Sequence, residues 1–128
     1  MSLNVAGAWA GTESAITWVD FYLKPVFGSL DALPDPAEVA PFMGAGFVLT
    51  GSDGSGGEGG GGEGEVYSLD GNGMGGGRWV PSGHVVTLED GVSTDWMRIS
   101  WRIDYGQKRQ DLYVDGILRN ADLGFVDT

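Results

Sequence analysis

The chain has no cysteine, a single histidine, and only seven Lys and Arg against eighteen Asp and Glu. Without cysteine there is no disulfide framework, no thiol nucleophile and no Cys-ligated zinc site, so stability must come from packing and strand pairing. His84 has no second imidazole with which to share a metal and no Ser or Cys partner at a recognisable elbow. It reads as a surface or hydrogen-bonded strand residue. No run approaches the ~20 apolar residues of a membrane span, so no membrane insertion is expected. Residues Met1–Gly7 show neither the basic start nor the apolar block of a secretory signal. The shortage of bases leaves a net charge of −11, unevenly spread, with five acids and no base in residues 51–74. Such a surface repels phosphate backbones and anionic membranes. Nucleic acid is therefore not an expected partner; cations or neutral ligands such as sugars suit it better.

What is present points to strands. At 128 residues the chain is read as one domain, 1–128, with 41% hydrophobic residues and five Trp to build a core. Its most informative stretch is Trp96–Leu118, WMRISWRIDYGQKRQDLYVDGIL. Met97, Ile99, Trp101, Ile103 and Tyr105 fall on one face; Trp96, Arg98, Ser100, Arg102 and Asp104 fall on the other. That period of two is the pattern of a half-buried antiparallel strand. Leu112–Val114 then runs into Asp115-Gly116, a dipeptide suited to a two-residue hairpin turn with positive φ.

Ser14–Phe27 is a second strand candidate, in which Ile16, Trp18, Asp20 and Tyr22 alternate with Thr17, Val19, Phe21 and Leu23. Both faces carry bulk, as in a central strand or one with a partly functional outer face, and Pro25 should end its pairing. Gly28–Pro41 reads as a loop with one helical turn at Pro36–Val39. Further strands are expected at Gly44–Thr50, Glu65–Leu69, Arg78–Val80 and His84–Glu89, each bounded by turn residues. Residues 51–64 hold nine Gly in fourteen positions and read as a flexible Gly/Glu-rich loop. The expected fold is an all-β antiparallel β-sandwich of the jelly-roll kind, with about eight to ten short strands.

Two blocks resemble the concanavalin A-like lectin/glucanase superfamily, in its laminin-G-like branch. One block is Trp96, Arg98, Trp101 and Asp104 followed by Tyr113-Val114-Asp115-Gly116; the other is Ile16–Pro25, with its aromatics followed by Lys24-Pro25. The resemblance implies a jelly roll, carbohydrate recognition or adhesion, and an extracellular or cell-surface setting. Members usually continue further after the Tyr-Val-Asp-Gly strand, whereas here only Arg119–Thr128 remain. That implies a compact or truncated sandwich with an open edge, and open edges template pairing with another chain. The glucanase branch carries a Glu-x-Asp-x-Glu strand, with carboxylates about 5–5.5 Å apart for retaining hydrolysis. The nearest match here, Glu63-Gly64-Glu65, lacks it, so the chain is read as non-catalytic.

Candidate site residues follow. Trp18, Tyr22, Trp79, Trp96 and Tyr113 are aromatics with a plausible outward position. Sugar rings stack on such faces while nearby polar groups fix their hydroxyls. Trp79 beside Arg78 is the leading stacking candidate, with Trp18 and Tyr22 next; the alternative is that these rings fill the core. Asp53, Glu58, Glu63, Glu65, Asp70 and Asn72 offer hard oxygens suited to calcium, which takes six to eight of them. Their spacing matches neither an EF-hand nor the nonapeptide calcium repeat, and solvated acidic loops are the alternative. Arg98 and Arg102 are expected to pair with Asp104, Asp111 or Asp115 across strands. Three functions compete: a non-catalytic glycan-recognition module, a structural protein that forms a homo-oligomer through exposed strand edges, and a hydrolase, disfavoured because the paired carboxylates are missing.

Overall fold

The structure is a computed structural model, and it describes residues 16–25, 33, 35–36, 44–52, 62–89, 92–93 and 95–126. The described chain is almost entirely strand: β1 (Ile16–Leu23), β2 (Phe47–Ser52), β3 (Gly62–Gly71), β4 (Gly77–Glu89), β5 (Val92–Ser93), β6 (Met97–Asp104), β7 (Arg109–Val114) and β8 (Ile117–Gly124). They form two antiparallel sheets, ordered β1-β6-β7-β8 and β2-β3-β4-β5. The all-β sandwich is as expected. Every neighbouring pair except β1–β6 is consecutive in the chain. The described strands therefore join as two meanders plus one pair, β1–β6, that is distant in the chain.

The alternation read in the sequence sets the burial. Met97 and Ile99 of β6 and Leu112 and Val114 of β7 turn inward against Val66, Val86 and Leu88 of the other sheet, and Ile103 of β6 is buried as well. Full burial of each such side chain contributes roughly 1.5–3 kcal/mol. Phe21, Leu23, Phe47, Leu49 and Trp101 close around this core. Phe47 joins the layers, stacking on Phe21 at 6.3 Å and meeting Trp101 edge-on at 5.3 Å.

Several boundaries differ from expectation. Arg78–Val80 and His84–Glu89 belong to one thirteen-residue strand, because Pro81-Ser82-Gly83 makes a bulge rather than a turn. Gly83 takes φ 74° there, Val66 has no rung on β4, and the buried Ser82 hydroxyl accepts the His84 N–H. The tract at 51–64 is not wholly a loop, since Gly51 pairs with Gly64 and Ser52 with Glu63. Among the described residues β1 is not central: it lies at the edge of its sheet, with β6 as its neighbour. Apart from Pro36, the helical turn expected at Pro36–Val39 lies outside the described residues.

The residues after Leu118 continue β8 and join it to the other sheet. Beyond the Asp115-Gly116 turn, where both residues have positive φ (52° and 78°), β8 pairs with β7. Its end then locks onto the β3–β4 hairpin: Gly124 N–H donates to Asp70 Oδ1, Gly73 N–H to Phe125 O, and Gly75 N–H to Val126 O. Backbones approach so closely here that a Cβ on Gly71 would collide with the Phe125–Val126 peptide, and one on Gly124 with the Gly71 carbonyl.

Buried amides join the two layers. Gln110, 1% exposed, accepts from Trp101 Nε1 at 2.7 Å and donates to Leu69 O at 2.6 Å. Asn120 donates to Ser68 Oγ at 2.8 Å and Val80 O at 3.2 Å. Removing one partner strands the other in a dry interior, which costs more than the bond's net value. Gln110→Ala should therefore lower the unfolding free energy by about 2–4 kcal/mol in urea denaturation, while the exposed Gln107→Ala stays within about 0.5 kcal/mol.

Candidate functional site

The outer face of β1-β6-β7-β8 gathers the exposed aromatic and charged groups of that sheet. On β1, Ile16, Trp18, Asp20 and Tyr22 point outward because their neighbours Thr17, Val19, Phe21 and Leu23 turn inward. Pairing sets Tyr22 opposite Arg98, Asp20 opposite Ser100, and Trp18 opposite Arg102; Ser100 in turn faces Tyr113 of β7. Trp18 and Tyr22 remain 55% and 66% exposed.

At the centre, Arg98 grips the Asp20 carboxylate with two nitrogens, Nε to Oδ1 at 2.9 Å and Nη2 to Oδ2 at 2.5 Å. Ser100 Oγ adds a third bond to Asp20 Oδ1 at 3.2 Å. The same guanidinium lies 5.9 Å from the Tyr22 ring centre, a cation–π contact. Tyr113 leans on Trp18 at 5.6 Å with a 44° tilt. Arg102 extends the row, reaching Asp111 at 3.3 Å and Asp104 at 3.5 Å. The face thus offers aromatic surfaces held in place by a charged, fully hydrogen-bonded spine. Stacking and polar contacts are within its chemistry.

Of the residues singled out from sequence, Trp18 and Tyr22 come together on this face. Trp79 and Arg78 lie on β4, in the other sheet, and successive strand residues point to opposite faces. They therefore do not converge on one ligand, and Arg78 Nε bonds Asp70 Oδ2 at 3.1 Å. Asp53 and Glu58 lie outside the described residues. Glu63 and Glu65 sit near the start of β3 and Asp70 at its far end, about 16 Å from Glu65 by strand rise, with Asn72 just beyond. The structure does not bring them together. Glu65 accepts the Tyr67 hydroxyl, which raises the Tyr67 pKa, while Asn72 Oδ1 caps the β3–β4 turn by accepting from Met74 and Gly76 N–H. Among the described residues, no group of three or more His, Cys, Asp or Glu is placed to hold a metal ion.

The Asp20–Arg98–Ser100 cluster was not anticipated. Arg102 finds Asp104 and Asp111 as expected, but the Arg98 side chain turns to Asp20 and only its backbone N–H reaches Asp115. Alternation in each strand placed Asp20 and Arg98 outward; the missing signal was that β1 and β6 are neighbours.

Comparison with known proteins finds no matching family model, no matching curated protein and no matching solved structure.

The Arg98 hydrogen bond holds the Asp20 carboxyl below its ordinary value of 3.8. A folded-state value below the unfolded one adds stability that is present above about pH 4 and lost as pH falls through the folded value. Carboxyl chemical-shift titration should find Asp20 ionising below 3.8 in the wild type and at higher pH in Arg98→Gln.

Proposed function

We propose that the chain is a non-catalytic carbohydrate-recognition module and that the outer face of β1-β6-β7-β8 is its binding surface. The observation that carries this reading is the exposure of Trp18 and Tyr22 on one face, flanking Asp20 with its Arg98 and Ser100 partners. A pyranose buries its C–H face on an aromatic ring while its hydroxyls take hydrogen bonds from adjacent polar groups. Trp18 and Tyr22 are four steps apart in the strand, so their positions lie about 13 Å apart. That span suits a chain of several sugar units better than a monosaccharide. The net charge of −11 favours neutral over sulfated or uronic glycans.

The resemblance of the sequence at Trp96–Gly116 and Ile16–Pro25 to concanavalin A-like domains supports the same reading. Hydrolysis has little support: the face's central carboxylate, Asp20, is held ionised by Arg98, whereas a general acid must keep its proton.

The competing reading is self-assembly. It draws on β1, an eight-residue strand at the edge of its sheet, and on the exposed Ile117 and Leu118 of β8.

An array of linear, neutral, β-linked oligosaccharides, followed by calorimetry on the hits, separates the two. The glycan reading expects a monomer by light scattering and binding that Trp18→Ala or Tyr22→Ala weakens roughly tenfold or more, with thermal unfolding unchanged. A blank array at millimolar ligand, together with a polymer or ring in solution, favours assembly.

A further inference from the structure

Residues 70–77, DGNGMGGG, carry the chain from β3 into β4 and contain its one Asn-Gly step. The other two asparagines, Asn4 and Asn120, precede Val5 and Ala121. An asparagine Cγ is open to attack by the amide nitrogen of the next residue, and a β-carbon on that residue crowds the approach. Glycine has none, and its backbone turns freely. Asn72 is also exposed, so water reaches it. By its sequence, Asn72 is the asparagine of this chain most open to deamidation.

The fold holds both reacting groups. Gly73 N–H, on the attacking nitrogen, donates to Phe125 O at 3.0 Å. Asn72 Oδ1 accepts Met74 N–H at 2.8 Å and Gly76 N–H at 3.1 Å, and Asn72 N–H donates to Gly76 O at 2.9 Å. For attack, Gly73 N must give up its proton and swing toward Cγ, so the bond to Phe125 has to open first. That carbonyl belongs to a well-seated segment. Phe125 and Val126 are 3% and 0% exposed, Tyr105 meets the Phe125 ring edge-on at 5.8 Å, and Gly75 N–H donates to Val126 O at 2.8 Å.

We propose that Asn72 is a modification site gated by this contact: its amide is kept while residues 124–126 are seated and is lost when they lift away. Gly73 N then bonds to Asn72 Cγ and the Cγ–Nδ2 bond breaks. The proton from Gly73 leaves with the amide nitrogen as ammonia, and a succinimide remains. Water, the co-reactant, opens that ring at one carbonyl to aspartate or at the other to isoaspartate. The isoaspartyl linkage puts an extra carbon into the main chain before Gly73. It carries Gly73 N–H away from Phe125 O and keeps residues 124–126 from reseating, so conversion marks chains that have opened at this end. The proposal is independent of the glycan reading, because no residue of the Trp18–Tyr22 face enters it.

The test incubates the full chain at one mildly alkaline pH, in native buffer and in denaturing urea. Peptide mass mapping and enzymatic isoaspartate detection follow Asn72. Loss of its amide should be roughly tenfold slower or more in native buffer, since the seated hydrogen bonds must open first. Gly124→Ala places a Cβ against the Gly71 carbonyl and presses the segment off its seat, so it should convert severalfold faster than wild type in native buffer. Circular dichroism checks that this variant is folded, and the comparison of buffer with urea stands without it. Arg98→Gln, on the outer face of β6, should convert as wild type does. Isoaspartyl chains, separated by charge, should exchange the Gly75 amide proton faster than unconverted chains. Equal rates in buffer and urea, a folded Gly124→Ala no faster than wild type, or isoaspartyl chains that protect Gly75 as before would overturn the proposal.

Discussion

The pairing of β1 with β6 is the constraint on which the rest depends. Eight rungs join residues 16–23 to residues 97–104, so the two strands meet across most of the chain. Because strand side chains alternate, one register fixes both faces at once. Inward, it lays Phe21 and Leu23 on the core beside Met97 and Ile99. Outward, it brings Asp20 to Arg98 and Ser100 and leaves Trp18 and Tyr22 in the open. A slip of one residue would exchange the faces, setting Trp18 and Tyr22 inward and breaking the Asp20–Arg98 pair. The ion pair is exposed, so it adds more to register than to stability.

Polar groups in the interior perform the corresponding task between sheets. Apolar packing between Val66, Leu88, Ile99 and Leu112 tolerates small shifts, whereas Gln110 fits only where Trp101 and Leu69 O are both in reach. Asn120 imposes a similar condition on Ser68 and Val80. The bare backbones of Gly71 and Gly124 then let the end of β8 seat against the β3–β4 hairpin. Together these contacts hold the sheets in one alignment.

Local chemistry was readable in the sequence and long-range pairing was not. Asp115-Gly116 makes the two-residue turn its composition called for, and Met97, Ile99 and Ile103 are buried as their alternation required. Trp18, Asp20 and Tyr22 could be placed on one face of a strand from spacing alone. Pro81-Ser82-Gly83 misled, because a bulge and a turn draw on the same residues. Gly51 and Gly64 looked like loop because glycine carries little strand signal, yet they pair with each other. Most consequential was the partner of Arg98. Three aspartates close to it in sequence drew attention, while the one its side chain holds, Asp20, lies 78 residues away. No periodicity within a strand encodes which strand lies beside it. For the same reason Trp79 and Arg78 looked paired by adjacency, although alternation along β4 separates them.

On the proposed reading, the outer face of β1-β6-β7-β8 meets a glycan. Its most direct test is amide and indole chemical-shift mapping of the isotope-labelled chain with a glycan recovered from the array. Shifts confined to Trp18, Tyr22, Arg98, Ser100 and Tyr113, with Trp79 unmoved, are the predicted result. Shifts centred on β3 and β4, or none at saturating glycan, would contradict it.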